Sequence, residues 1–491
     1  MTTSQVAATG RPAAAGGYPR RWLGAIVMIV GALMDMIDVT IVNVALPTIR
    51  RDLHASATQL EWVVSGYMLA FAAALIVAGN LGDLFGRKRV FLIGVAVFGV
   101  ASLAAGLAGS GAELIAARVV QGTAAAAMAP QVLATFRAVF AGAERGKAFS
   151  IYGAMLGFAS AVGLLLGGVL TEANLFGWSW RAVFFVNIPV AAAALIAGLR
   201  FVPETRDPGA RRPDVTGAVL LAASLVAIVY PLLEGRQLGW PAWVWVLLAA
   251  GVAGLGVLGL LEARRTGRAD GPAPLLRAGL FRVPAFAAGL GVQMAFAAGL
   301  QGFFLALALW LQAGEHFSPL KAGLTAVAFS AGSFIGAPVA VPLAQRYGRR
   351  VLASGGALMA AGIAGVSLVA SHIGVNGSPW PLVPGLVVCG AGLALLIIPL
   401  VNVVLAAVPV EASGGASGLF STAQQVGGAV GVAVFGTVFF GYLTRHSFEA
   451  SIVHTAPYAM GAFALCVVLA LLLPRTAVSE QALTELEDVG A

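Results

Sequence analysis

The sequence predicts an all-α polytopic membrane protein of fourteen transmembrane helices. They form two pseudo-repeated six-helix bundles plus an inserted helix pair, with both termini cytoplasmic. Three observations predict this. The 491 residues are 59% hydrophobic and only 10% charged, with a mean hydropathy of +0.92. Soluble domains hold about 25% charged residues, and no soluble fold of this length hides so much apolar surface, so the solvent is a bilayer. Apolar runs of about 20 residues, enough to cross the hydrocarbon, recur fourteen times between short polar loops. Finally, a basic loop motif returns: Leu81-Gly-Asp-Leu-Phe-Gly-Arg-Lys88 becomes Leu343-Ala-Gln-Arg-Tyr-Gly-Arg-Arg350, offset by 262 residues.

Residues 1–21 read as a polar, Pro/Gly/Ala-rich cytoplasmic tail that runs into the first span, with no cleavable signal evident. The N-terminal bundle, 22–201, holds spans 22–47, 60–81, 89–109, 112–136, 147–171 and 182–201. The inserted pair, 214–262, holds spans 214–234 and 241–262. The C-terminal bundle, 284–474, holds spans 284–312, 319–345, 350–371, 382–408, 416–442 and 456–474. The narrowest splits are at Gly109–Glu113 and Thr205–Asp214. Segments 200–213 and 262–283 read as linkers, and 475–491 as a second cytoplasmic tail whose acidic part, Glu480–Asp488, is a short helix or disordered. The offset of 262 also carries the first two spans onto the ninth and tenth, which makes the middle pair an insertion. Repeated halves are how many secondary transporters build a site between two rocking bundles.

Lys and Arg fix the orientation, because positively charged loops stay cytoplasmic. With the N-terminus inside, 22 basic residues fall in inner segments and 6 in outer ones, leaving Arg118 within a span. Eight of the nine Trp, all but Trp22, fall near outer ends, as an interfacial belt requires. The basic residues lie in short clusters between apolar runs, so the charge of +8 does not suggest nucleic acid. Cys389 and Cys466 both fall in apolar runs and imply no disulfide framework. A bias to 26 Arg against 3 Lys looks like a GC-rich bacterial genome, and the chain is expected to work as a monomer in the lipid bilayer.

Asp38 lies inside the first apolar run, with Asp35 one helical turn before it. A carboxylate near the membrane centre costs about 2.5–3.5 kcal/mol on insertion scales. Leu or Ala would pack without that cost, so such a residue implies binding of a proton, an ion or a cationic substrate. At i, i+3 the two acids share a helix face, and like charges that close favour a group that exchanges a proton near neutral pH. Arg118, deep in the fourth span, needs an acidic or carbonyl partner. The polar residues Asn43, Gln121, Gln293 and Gln424 are candidates to line a substrate cavity, with Asp35 attracting cationic compounds. The later spans hold no central acid, which argues against dicationic substrates.

With two halves, a central pair and these loops, the chain resembles the major facilitator superfamily over roughly 22–475. It is most similar to the fourteen-helix branch of drug:proton antiporters. Gly79-Asn-Leu-Gly-Asp83-Leu-Phe-Gly86-Arg87-Lys88-Arg89 matches the superfamily's loop signature. The resemblance makes Gly79, Asp83, Gly86, Arg87, Lys88 and Arg89 a conformational latch, with Gly86 permitting a tight turn. Leu114-Ile-Ala-Ala-Arg118-Val-Val-Gln121-Gly122 resembles the signature whose Arg is tied to proton transfer. Asp38-Val-Thr40-Ile-Val-Asn43-Val-Ala-Leu46-Pro47 matches the branch's first-helix signature and gives Asp38 the position of its membrane-embedded carboxylate. Asp35 lies outside that signature. Gly153 and Gly157, then Gly163, Gly167 and Gly168, resemble the exporter signature, in which glycines spaced by four let helices approach closely. Leu164 stands where the family usually has Pro, so this helix should bend less. Trp180-Arg181, Asn187-Ile-Pro189 and Gly418-Leu-Phe-Ser-Thr-Ala-Gln424-Gln425-Val-Gly427-Gly428 also resemble the branch.

The resemblance implies a proton-coupled antiporter that exports hydrophobic or amphipathic compounds across the bacterial cytoplasmic membrane by alternating access. Asp38, Arg118 and Asp35 would couple the protons. Alternatives are a proton-coupled importer of a small solute and, further off, a non-transporting membrane sensor or enzyme. No nucleophile–base cluster suggests catalysis. No metal-ligand spacing occurs, and the five His fall in outer loops, where solvated residues are the plain reading against a pH sensor or metal patch. No phosphate-cradling loop suggests ATP. The proton gradient is the expected energy source, with no cofactor.

Overall fold

The structure is a computed structural model. It describes residues 20–206, 214–265, 280–281, 283–372, 377–406, 408 and 413–473. The tails before Arg20 and after Leu473, residues 207–213 of the first linker and most of the second lie outside the described residues, including the stretch Glu480–Asp488.

The described residues are helical almost throughout. The first half comprises α1 (Arg21–Asp52), α2 (Ala57–Phe85), α3 (Arg87–Leu107), α4 (Gly111–Val139), α5 (Gly142–Ala173), the short α6 (Ala182–Phe185) and α7 (Asn187–Phe201). Then come α8 (Val215–Leu238) and α9 (Ala242–Arg265). The second half comprises α10 (Pro284–Leu309), α11 (Pro319–Tyr347), α12 (Arg349–Ala370), α13 (Val383–Ala406), α14 (Ser413–Leu443) and α15 (Phe448–Leu471). Among the described residues, eleven helical stretches are long and apolar enough to cross a membrane, or twelve if α2, bent by 48°, counts as one. The chain is thus an all-helical polytopic membrane protein.

Several boundaries differ from expectation. The first helix does not stop at Pro47 but continues to Asp52. Pro is tolerated inside such helices because their surroundings re-satisfy the freed carbonyls. The last helix begins at Phe448, ahead of the expected 456, because Ser447 caps it by accepting from the Ala450 N–H at 3.2 Å. The narrow split near Gly109 is real: α3 ends at Leu107, and Ser110 caps α4 through the Glu113 N–H. α5 is a single helix through Leu164, as the missing Pro allows.

The sequence repeat returns as a backbone repeat. Gly86 ends α2 and starts α3 at φ +109°, and Gly348 ends α11 and starts α12 at φ +59°. Both occupy a backbone region that a side chain disfavours.

The two halves meet through α2 on α14 and α5 on α11, with α1 touching α10. Their described contacts gather toward one end, here called the Glu61 end; the other is the Asp83 end. Ser65 donates to the Ala429 carbonyl at 3.4 Å. Gln312 donates to the Val44 carbonyl at 2.7 Å, and the Leu320 N–H donates to Glu172 at 3.0 Å. Helix α8 packs on both α2 and α14, and α9 packs on α8. Gly251 and Gly254 of α9 seat against Ser224.

Candidate functional site: a buried carboxylate network

The centre of the first half holds a charged network inside an apolar shell. Asp38 is fully buried on α1. It accepts from the Arg118 guanidinium of α4, from Gln121 Nε2 at 3.0 Å and from Asn187 Nδ2 of α7 at 2.9 Å. Arg118 also donates to Gln121 Oε1 at 2.8 Å and, through Nε, to the Val63 carbonyl of α2 at 3.2 Å. Gln121 donates on to Ser102 of α3 at 2.8 Å. Five helices thus converge on one carboxylate. A buried ion pair breaks even only when further hydrogen bonds satisfy its donors and acceptors, and here both Asp38 oxygens and the Arg118 Nε and Nη1 are bonded.

Asp35 lies one turn away on the same face, almost buried. The Tyr67 hydroxyl of α2 donates to it. The Tyr67 ring also carries Arg118, whose Cζ stands 4.2 Å from the ring centroid. One tyrosine therefore touches both the second acid and the guanidinium that holds the first. A change in charge at either acid is felt by the other through Arg118 and Tyr67.

The other candidates disperse. The Gln121 amide is engaged by Asp38, Arg118 and Ser102. Gln293 on α10 is buried, with its Oε1 unpartnered among the described residues. Asn43 donates to its own helix at Val39 and lines a cavity of about 20 Å³ with Phe304 and Gln312, room for one water molecule. Gln424 on α14 is exposed.

The loop residues do come together. Arg87 donates to Asp83 through Nε at 2.9 Å and Nη2 at 2.8 Å, and reaches the Ala134 carbonyl of α4 at 3.3 Å. Lys88 Nζ donates to the Leu199 carbonyl at 2.7 Å, while its backbone N–H donates to Glu204 at 3.2 Å. Arg89 Nε stands 3.6 Å from Glu204. A Cβ on Gly86 would strike the Glu204 carboxyl, 2.7 Å from its Cδ. A Cβ added at Gly79 would stand 3.7 Å from the Pro130 Cβ, an ordinary contact. The loop thereby ties α2 and α3 to α4 and to the end of α7.

Gly163 and Gly167 face α1, where added Cβ atoms would stand 3.0 Å from the Ile37 carbonyl and 2.9 Å from that of Ile41. Gly168 faces the other half, 2.8 Å from the Leu320 Cα by the same construction. The surroundings of Gly153 and Gly157 lie outside the described residues. No group of three metal-ligating side chains occurs among the described residues.

Tyr67, Ser102 and Glu204 were not expected at these sites, and Asn187 was expected only as a motif. Glu204 had a signal: it and Asp207 are the two acids in a linker otherwise holding Arg200, Arg206, Arg211 and Arg212. Tyr67 and Ser102 had none, because a hydroxyl in an apolar run is ordinary until its neighbours are known.

The family model described as Major Facilitator Superfamily matches residues 28–213, 208–432 and 289–490. A probable actinorhodin transporter of Streptomyces coelicolor is 39% identical over 427 residues, covering 87% of this chain and 74% of that protein. Puromycin resistance protein pur8 of Streptomyces alboniger is 38% identical over 444 residues, covering 88% and 85%. A tetracenomycin C resistance and export protein of Streptomyces glaucescens is 35% identical over 434 residues, covering 87% and 77%. Among solved structures, an auto-inhibited peptide transporter of the POT family aligns with a TM-score of 0.66 at 16% identity, covering 91% of this chain and 96% of that one. The inward-open xylose transporter XylE from E. coli aligns with a TM-score of 0.62 at 14% identity, covering 95% and 98%. At those identities the structures speak for the fold alone. Sequence relatives above 30% identity and the family model reach across most of the molecule, and on that ground the chain belongs to the Major Facilitator Superfamily.

Proposed function

We propose that this protein exports a hydrophobic or amphipathic antibiotic-like compound across the bacterial cytoplasmic membrane in exchange for protons. The observation that carries the reading is the burial of Asp38 under Arg118, Gln121 and Asn187. A carboxylate so placed changes its charge only when the helices around it move, so proton binding and conformation are coupled. The relatives named for actinorhodin transport, puromycin resistance and tetracenomycin C export support the substrate class and the direction.

Fourteen spans follow if α4 and α5 join the twelve candidates, with α6 and α7 continuing one span. Lys and Arg then put both termini and the Asp83 end in the cytoplasm, and the Glu61 end outside. Residues 22–201 and 284–474 are the moving bundles, with 214–262 as the inserted pair, and the protein works as a monomer without a cofactor. In the inward-facing state Asp38 releases its proton toward the cytoplasm and pairs with Arg118. In the outward-facing state it takes up another as substrate leaves. Asp35, held by Tyr67, is the second acid in reach of the same charge. Asp83, Gly86 and the basic run hold the loop through each tilt. One charge moved through 100 mV supplies about 2.3 kcal/mol, or about fiftyfold in concentration.

The test is flux in everted vesicles loaded by an imposed pH gradient, with a panel of antibiotics and dyes. Asp38→Asn, inserted and folded, should accumulate nothing above background. Full proton-driven transport by that variant would falsify the coupling role.

A further inference from the structure

Outside the Asp38 network, a buried acid on the seam between the halves is left without a use. Glu61 sits on α2 near the Glu61 end and is completely buried. Neither of its oxygens has a hydrogen-bond partner among the described residues. It lies on the seam between the halves: a Cβ on Gly436 of α14 would stand 2.6 Å from the Glu61 Cδ. The charged groups facing it are Arg236 and Glu234, both from α8. Arg236 is itself underused, since its Nε and Nη2 are buried without partners. Its Cζ stands 5.6 Å from the Phe440 ring of α14, and Arg50 of α1 stands 5.5 Å from the same ring. Glu234 is engaged by Trp62 Nε1 at 3.1 Å. From α14, Thr437 donates to the Leu232 carbonyl at 2.8 Å, and Gln237 of α8 donates to Thr58 of α2. The inserted helix therefore grips both halves where they close.

We infer that Glu61 is a second proton-binding site, placed at the outer gate, and that its proton holds the gate shut. The reasoning is physical. A buried carboxylate without hydrogen bonds or an ion pair is too costly to keep ionised, so the closed seam holds the neutral acid. When the halves part at this end, Gly436 withdraws, water reaches the carboxyl, and Arg236 offers a charged partner. The acid then releases its proton to the outside. Opening releases a proton and closing takes one up, so higher external pH favours the open gate and lower pH the closed one. This proton returns to the side it came from and is not the transported one. It lets external acidity drive the gate toward closure, the step that returns an exporter to the cytoplasm-facing state. The inference rests on the proposed alternating access, but its readout is conformation and not flux.

The experiment uses the full-length protein in lipid nanodiscs, with buried Cys389 and Cys466 replaced by Ala. Spin labels go on Phe176→Cys and Trp380→Cys, exposed positions on opposite halves at the Glu61 end. Electron–electron resonance distances are measured from pH 5 to 9 in an Asp38→Asn background, which removes the transported proton. The long-distance population should grow with pH, and adding Glu61→Gln should abolish that growth with the short distance retained. Arg236→Gln, which removes the partner of the open state, should move the midpoint of opening up by about one pH unit. A distance that responds to pH equally with and without Glu61, or does not respond at all in the Asp38→Asn background, overturns the inference. If Glu61→Gln does not fold, an unmoved midpoint in Arg236→Gln overturns it alone, and a raised one supports it. Loss of export with an intact distance titration would sink the export reading and leave this one standing.

Discussion

The two halves share a backbone plan and divide the chemistry unequally. In the first half, Asp35, Asp38, Glu61, Arg118, Gln121 and Asn187 are all buried. In the second half, among the described residues, the buried polar side chains are Gln293, five hydroxyls and, past the end of α10, Glu315. The loop repeat diverges likewise. Arg87 pairs with Asp83 and binds α4, whereas at the matching turn Gln345 replaces the acid and Arg349 donates to the Leu473 carbonyl of its own half at 2.8 Å. The first bundle carries the buried Asp–Arg network, and the second, Glu315 apart, supplies a largely apolar wall. A transporter needs only one half to sense protons if both move against each other as rigid bodies.

The largest test of that asymmetry is charge removal at the centre. Asp38→Asn should reduce proton-driven efflux to background, as measured in everted vesicles, while substitutions at Gln293 leave substantial flux. Next is stability. Arg118→Ala leaves Asp38 buried without its cation and should destabilise the protein by about 3–5 kcal/mol. Pairing it with Asp38→Asn should recover part of that loss, a non-additivity readable in thermal unfolding of the detergent-solubilised protein. Asn187→Ala removes a single hydrogen bond to a charged group, for about 1.5–3 kcal/mol by the same assay. The loop comparison gives a subtler effect. Asp83→Asn and Gly86→Val should slow turnover more than they weaken substrate binding, and Gln345→Ala should do neither; unchanged turnover in both first-half variants would remove the latch. Smallest of all, Gln293→Leu replaces a buried amide whose Oε1 has no partner among the described residues and should change stability by about 1 kcal/mol or less in either direction.

Much of this division was legible in the sequence, because membranes make polarity conspicuous. A single Asp or Arg in an apolar run has few explanations, so Asp38 and Arg118 could be singled out, and so could the turn at Gly86. What could not be read was who meets whom. Tyr67 and Ser102 carry hydroxyls that sequence cannot distinguish from packing residues. That Gln121 serves Asp38 could not be read either, because it is set by which side of α4 meets α1 and α3. Helix ends differ from expectation at Pro47 and Ser447, where tertiary surroundings and a cap decide the boundary over local propensity. Glu61 carries no signal in the sequence because an acid near a span's end is usually solvated, and only the approach of Gly436 shows that this one is not.

Helix α9 touches the rest of the protein chiefly through α8, and its closest approach is made by Gly251 and Gly254 against Ser224. Most of its surface is therefore a lipid contact, where any apolar side chain serves about equally well. In a saturating mutational scan under drug selection, α9 should form the most permissive stretch of the molecule, punctuated at those two glycines. That contrast would also make it a natural place to attach a fluorescent reporter that travels with the inserted pair without burdening the pump.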